Sequence, residues 1–376
     1  MKICVFSMAK NEEGFARRWA EHAAEADYMT VLDTGSEDGT ADILRECGVL
    51  VGVRKFTPWS TLDEYRRLLA EGADPWRWDV ARNASMALIP PDTDICVRVD
   101  MDEYFTPGWR KSLEEAWSAA TSRARYWYAW SFNDDGSEGT VFYADHIFAY
   151  GKYKYVYANH EVPRFLGPGT EKIVTLQGCR LNHTPVWKAS RSTNLPLLQL
   201  AVSEDETNAR NVHYLGREYM YAGMYDQAIE MLKKHVNMPT SQWPAERAAS
   251  MRYIARCCKS LGKLDEAELW YTRAAAEAPQ FREAYVGLQR LTYEQHRWRE
   301  CVYYGRMAVS LSDRDLSYIS EAEAWGSLPW DLLSIAYWNL GQTAEALSCA
   351  RIALSLEPSN ERIANNVAFF ESRLPA

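Results

Sequence analysis

The hydrophobic and polar positions divide the chain into two halves of different periodicity. Residues 2–8 (KICVFSM) form a compact apolar run suited to a buried strand. A polar turn follows from Ala9 to Glu13, and then a helical stretch through Phe15, Trp19 and His22. Residues 28–33 (YMTVLD) predict a second strand that stops at Gly35, with a helix from about Gly39 to Glu46. Residues 49–53 (VLVGV) and 94–100 (DICVRVD) predict the third and fourth strands. Apolar strands alternating with helices predict an α/β domain with a parallel sheet. Such sheets bind ligands beyond the carboxyl ends of their strands.

From about 125 to 185 aromatic residues dominate (RYWYAWSF, then VFYADHIFAYGKYKYVYANHEV), a pattern of antiparallel strands with aromatic faces. A polar stretch from Lys188 to Asn211 leads into a wholly helical half that repeats itself. One unit holds Leu215, Gly216, Tyr219, Gly223, Tyr225 and Ala228; the next holds Ile254, Ala255, Gly262, Ala267, Tyr271, Ala274 and Pro279. The last holds Trp330, Leu333, Tyr337, Gly341, Ala346, Ala350, Ala353 and Pro358, and Leu288, Trp298, Cys301 and Ala308 fit a degenerate copy between them. Gly223 and Gly262 lie 39 residues apart. The pattern resembles the tetratricopeptide repeat, a helix–turn–helix of about 34 residues, with insertions at turns. Small residues fall where paired helices touch, and Gly falls at the turn, where a positive φ is cheap. Residues 361–371 (ERIANNVAFFE) predict a terminal capping helix. The expected domains are 1–190, a linker at 191–210, and a helical repeat domain at 211–376.

At 376 residues the chain is long enough for two or three domains, and its 47% hydrophobic and 25% charged content is that of a globular protein. The net charge of −9 makes it a poor default binder of nucleic acid, though a nucleic-acid acceptor stays open. No run of 18 apolar residues appears, and the N-terminus shows no signal-peptide cleavage pattern. The eight Cys include no C-x-x-C pair, which favours buried free thiols and a cytoplasmic location.

The sharpest chemical feature is Val99-Asp100-Met101-Asp102-Glu103 at the end of the fourth strand. Carboxylates at i and i+2 of an extended segment point the same way and can hold a hard divalent cation, which can bridge a diphosphate. Asp33-Thr34-Gly35-Ser36-Glu37-Asp38-Gly39-Thr40 puts an Asp at a strand end before a turn opening a helix, with Asp38 or Ser36 suited to capping that helix. Lys10-Asn11-Glu12-Glu13 follows the first strand at the same edge.

MAKNEE (8–13), VLDTGSEDGT (31–40), WDVARN (78–83) and VDMDE (99–103) resemble, in order and spacing, the family 2 glycosyltransferases of GT-A fold. Asn159-His160-Glu161 and Leu181-Asn182-His183 continue the likeness to a subgroup carrying tetratricopeptide repeats behind the catalytic domain. The resemblance implies a GT-A nucleotide-sugar-binding domain and a metal-dependent, inverting sugar transferase using Mn²⁺ or Mg²⁺. It implies a nucleotide-sugar donor, by family default a UDP-sugar. Asp33 would hydrogen-bond the nucleobase, Asn11 and Glu12 would line the nucleotide pocket, and Arg82 and Asn83 would face the nucleotide. Asp100 would face the ribose, and Asp102 and His183 would ligate the metal. Lys188 and Arg191 would clamp the departing diphosphate. Glu161 is the candidate catalytic base, with Asp134 and Asp135 of Phe132-Asn133-Asp134-Asp135-Gly136 as competitors that also suit a hairpin turn.

Residues 57–78 hold three Trp and many charges and read as a helical insertion, either an acceptor platform or lid or a solvated surface helix. The acceptor is open between a peptide or protein and a glycan, and the repeats would bind it or mediate dimerisation. The competing reading is a repeat scaffold with a vestigial front domain.

Overall fold

The computed structural model describes residues 1–132, 136, 138, 139, 141–185, 194–315 and 321–374. The chain forms two compact units, Met1–Ala201 and Val202–Ala376.

The first unit runs β1 (Ile3–Ala9), α1 (Glu13–Ala23), β2 (Tyr28–Asp33), α2 (Thr40–Glu46), β3 (Leu50–Val53), α3 (Leu62–Ala70), α4 (Trp78–Met86) and β4 (Ile95–Arg98). It continues with β5 (Glu103–Phe105), α5 (Trp109–Ala116), β6 (Arg123–Ala129), β7 (Val141–Ala149), β8 (Tyr153–Val156), β9 (Val162–Phe165) and β10 (Ile173–His183). Helix α6 (Asn194–Glu204) occupies much of the stretch expected as a linker and carries the chain across the unit boundary.

The main sheet has the order β3-β2-β1-β4-β7-β6-β10-β5. Strands β3, β2, β1 and β4 are parallel, and β1 is flanked by β2 on one side and β4 on the other. The order therefore reverses at β1, which opens a crevice at the carboxyl ends of β1 and β4. Strand β7 runs antiparallel to β4 and β6, as the aromatic pattern predicts. Strand β10 departs from it and runs parallel to β6, because the β8–β9 ribbon intervenes before the chain returns. The central strands read as unbroken apolar runs because both faces are covered: Val5, Val97 and Ile3 pack with Trp19 on one side, and Cys4, Phe6 and Cys96 pack with Phe148 on the other.

Strand β10 contains a bulge. Its pairing with β6 shifts between Thr175 and Arg180, where Gly178 takes φ 69°, a conformation cheap only for glycine. Beyond the bulge Asn182 pairs with Tyr104 and His183 with Glu103 of β5.

The second unit runs α7 (Ala209–Tyr221), α8 (Tyr225–Asn237), α9 (Pro244–Ser260), α10 (Leu264–Glu277), α11 (Arg282–Glu294), α12 (Trp298–Ser310), α13 (Ala322–Trp325), α14 (Leu328–Asn339), α15 (Thr343–Leu356) and α16 (Glu361–Glu371). Helices α7/α8, α9/α10, α11/α12 and α14/α15 form hairpins, and α16 closes the described array at the residues expected for the cap. Gly223, Gly262 and Gly341 turn three hairpins with φ of 74°, 73° and 76°. In the degenerate copy His296 does the same work with φ 58°.

Inside this unit lies a buried polar row. Ser250 Oγ is 2.7 Å from His213 Nδ1 and 2.9 Å from His235 Nδ1, and His235 Nε2 is 3.3 Å from Glu246 Oε1. Ser250, His213 and His235 are fully buried, so the row is structural despite its resemblance to a hydrolase arrangement.

Candidate functional site

The site forms at the carboxyl edge of the parallel strands. Asp33 ends β2 and is 3% exposed. Its Oδ1 accepts from the Gly35 and Ser36 N–H groups, both at 2.7 Å. Its Oδ2 is buried and has no hydrogen-bond partner among the described residues. An orphaned buried carboxylate oxygen is costly and calls for a donor from a ligand or an ordered water.

Asn11 and Glu12, expected along a nucleotide pocket, tie the end of β1 to the following loop. The Asn11 N–H donates to Ser36 Oγ at 2.9 Å, and Asn11 Oδ1 accepts from the Glu37 N–H at 2.8 Å. The Glu12 N–H donates to Thr40 Oγ1 at 2.7 Å. Asp38 caps the next turn by accepting from the Thr40 N–H at 3.0 Å.

Arg82 lies on α4 with its guanidinium 3% exposed. It donates from Nη1 to Asp100 Oδ1 at 2.9 Å and from Nη2 to Glu161 Oε1 at 3.2 Å. Arg98, at the end of β4, reaches the other oxygen of Asp100, with Nη2 3.3 Å from Oδ2, and lies 4.0 Å from Glu161 Oε1. The Asp100 carboxylate is thus held by two guanidiniums; burial opposes its ionisation, but Arg82 and Arg98 keep it well below the usual carboxylate range. Asp100 thus supports the arginine pair, with one guanidinium on each oxygen. The described polar contacts of Glu161 all run through Oε1. His146, buried beside this cluster, has its pKa pushed well below the ordinary imidazole value, first by burial and then by Arg98.

Both polar atoms of the Asn83 side chain are engaged by the Tyr155 backbone. Its Nδ2 donates to the Tyr155 carbonyl and its Oδ1 accepts from the Tyr155 N–H, both at 2.9 Å, which fastens β8 to α4.

Asp102 and His183 meet as expected. Nε2 of His183 lies 3.3 Å from Asp102 Oδ2. Register explains it, because His183 pairs with Glu103 across β10 and β5, and the Thr184 N–H donates to the Asp102 carbonyl at 2.9 Å. Nδ1 of His183 is 2.9 Å from the Trp130 carbonyl, which places the proton on Nδ1 and turns the lone pair of Nε2 toward Asp102 in the neutral ring. Burial resists charging this ring, but Asp102 beside it raises the pKa above the ordinary value. The described residues include no cluster of three or more His, Cys, Asp or Glu that forms a full metal cage. Asp102 and His183 together offer one carboxylate and one imidazole, two donors of the kind a divalent cation takes when water completes its shell.

Lys188, Arg191, Asp134 and Asp135 lie outside the described residues. Sequence reasoning missed Arg98, whose i, i+2, i+4 spacing with Asp100 and Asp102 was the available signal. It also missed Trp19, whose Nε1 donates to the Val99 carbonyl at 3.0 Å and fixes the strand end just before Asp100. The 57–78 insertion contains α3, where Thr61 Oγ1 accepts from the Glu64 N–H at 3.2 Å and Glu64 Oε2 accepts from the Ser60 N–H at 2.9 Å. Its Trp59, Trp76 and Trp78 pack with Leu197 and Leu200, so the three rings are committed to a core rather than to an open platform.

Residues 329–360 match the tetratricopeptide repeat family. The chain is 35% identical over 107 residues to prolyl 3-hydroxylase 2 of Mus musculus, covering 27% of this chain and 15% of that protein. The protein of the same name from Rattus norvegicus is 33% identical over 107 residues, with the same coverage. The chain thus spans about a seventh of the length of these curated relatives. Among solved structures, MamA superposes with a TM-score of 0.37 at 19% identity, covering 45% of this chain and 90% of that one. YrrB, described as a TPR protein with an unusual peptide-binding site, gives a TM-score of 0.36 at 13% identity, covering 46% and 80%. The chain therefore joins an N-terminal α/β unit to a helical unit carrying a tetratricopeptide repeat. No helix of the described residues is long and apolar enough to cross a membrane.

Proposed function

We propose that the first unit is a GT-A-type glycosyltransferase of family 2, moving a sugar from a nucleotide-sugar donor, UDP-linked by the family default, to a peptide, protein or glycan acceptor in the cytoplasm. The observation that carries the reading is the Asp102–His183 pair at the carboxyl edge of the sheet, with the imidazole tautomer set by the Trp130 carbonyl. The orphaned Oδ2 of Asp33 supports it as the acceptor for a nucleobase N–H. A bound Mn²⁺ or Mg²⁺ would supply charge neutralisation to the leaving diphosphate. Asp102 and His183 would hold it, and Lys188 and Arg191 would meet the diphosphate. Asp100, Arg82 and Arg98 keep the strand end rigid. The acceptor oxygen attacks the anomeric carbon as the bond to the diphosphate breaks. Glu161 takes the acceptor proton, with Arg82 orienting it through Oε1; Asp135 is the competing base.

Calorimetric titration of UDP, GDP and CDP, each with Mn²⁺ and with EDTA, tests this. Metal-dependent binding of one nucleotide, lost in Asp102→Asn and His183→Ala, is expected. No binding under any condition would overturn the transferase and favour a repeat scaffold.

A further inference from the structure

The β8–β9 ribbon turns one face inward and one outward. Tyr153 and Tyr155 are buried with Phe6 and Phe148, and Phe165 packs against them. The Asn83 amide clamps the Tyr155 backbone from α4, so the direction of the outer face is fixed. Strand alternation puts Lys152, Lys154, Arg164 and Leu166 on that face, all four exposed. Lys154 stands directly opposite Arg164 in the register. Two residues further along, the Leu166 N–H donates to the Lys152 carbonyl at 2.8 Å, which sets those two side by side.

Two features of this face are unbalanced. Like charges directly across a strand pair repel each other. Among the described residues no ion pair joins Lys152, Lys154 or Arg164 to a carboxylate. The acids of neighbouring segments are engaged elsewhere: Glu171 pairs with Arg123 and accepts from the Tyr153 hydroxyl, and Glu161 pairs with Arg82. Arg164 is held by Tyr157 instead. Its Nη2 donates to the Tyr157 hydroxyl at 3.1 Å, and its guanidinium carbon lies 5.6 Å from the Tyr157 ring centroid. Tyr157 takes φ 81°, a left-handed conformation that bulky side chains rarely adopt. The strained turn thus fixes the cation in place without neutralising it.

The second feature is Leu166, 58% exposed beside Lys152 and followed by the uncharged run Gly167-Pro168-Gly169-Thr170. A guanidinium and an ammonium on adjacent strands suit a phosphate group. A soluble phosphate accounts for the cations but gives the leucine no partner. A phospholipid accounts for both, with its phosphate on the cations and its acyl boundary against the leucine. We infer that the outer face of the β8–β9 ribbon docks on a bilayer containing anionic phospholipid, the headgroup phosphate lying between Lys154 and Arg164 and Leu166 entering the acyl boundary. The inference does not depend on the transferase reading.

Co-sedimentation of the full chain with vesicles of phosphatidylcholine, alone or mixed with phosphatidylglycerol, tests it. The protein should bind the mixed vesicles only, and less as salt is raised. Lys154→Ala should lower the partition coefficient about fivefold, and adding Arg164→Ala about 25-fold in total. Leu166→Ser should weaken binding and leave its salt dependence in place. Hydrogen exchange on the unaltered protein with mixed vesicles should show residues 166–169 gaining protection, which needs no variant to fold. Equal binding to both vesicles, or binding to neither, would overturn the proposal. So would a double variant or Leu166→Ser that binds like the unaltered chain, or unchanged protection at 166–169. Displacement by inorganic phosphate beyond that by chloride at equal ionic strength would also overturn it, in favour of a soluble phosphate ligand.

Discussion

The side-chain amide of Asn83 mimics a strand partner, making a two-way hydrogen-bond pair with the Tyr155 backbone at 2.9 Å in each direction. Asn83→Ala strips both groups of their partner and should destabilise the first unit by about 2–3 kcal/mol in urea unfolding. Nucleotide affinity at temperatures below the transition should be unchanged. A variant of normal stability that no longer binds nucleotide would return Asn83 to the ligand.

Arg98→Met should be costly for a different reason. It leaves Asp100 Oδ2 without its guanidinium and Arg82 as the sole strong partner of two acids. Breaking a buried ion pair from one side costs about 3–5 kcal/mol, measurable as a lowered denaturation midpoint. A loss below about 1 kcal/mol would mean solvent screens the cluster.

Glu161→Gln separates base from scaffold. The amide oxygen can still accept from Arg82, so donor binding should stay within about twofold while transfer falls by roughly 10²–10⁴. Normal turnover in a transfer assay, with Asp135→Asn inactive, would move the base to Asp135.

Burial, then His235 and the arginines 217, 252 and 210, push the pKa of His213 well below the ordinary 6.5. The folded ring stays neutral while the unfolded one takes a proton below about pH 6.5, so the unfolded state binds more protons there. Its contribution is fully present above that pH and falls with acidification by at most about 1.4 kcal/mol per pH unit. Urea unfolding at pH 7 and pH 5 should show the drop, and His213→Gln should flatten it.

Gly262 takes φ 73° with open space around the position of a side chain, whereas a methyl group on Gly216 would meet Leu232 Cγ at 2.6 Å. Gly262→Ala should cost about 1–2 kcal/mol from backbone strain alone. Gly216→Ala should cost more, because α7 and α8 must separate. Thermal melts of the two variants distinguish strain from overpacking.

Much of this architecture is legible in the sequence because local physics writes it there. Strand β2 ends at Asp33 and α16 covers 361–371, as the apolar runs and periodicity predict. The hairpin of α11 and α12 was faint because His296 replaces the glycine at the turn, with its ring packed on Trp298. The meeting of Asp102 with His183 follows from motif order, but the capture of Asn83 by Tyr155 does not. That partner lies 72 residues away and is a backbone group, which leaves no trace in side-chain patterning. Arg98 lies inside the apolar strand run DICVRVD, and its pairing with Asp100 and Glu161 is set by the fold rather than by that run.

The bulge at Gly178 has an evolutionary consequence. Strand positions alternate between faces, so a single-residue insertion or deletion normally inverts everything downstream. In β10 the pairing offset against β6 grows by three residues between Thr175 and Arg180, an odd step taken up before His183 is reached. The extra residues sit ahead of His183, so the outer half of the strand can differ in length with less risk of turning the imidazole away from Asp102.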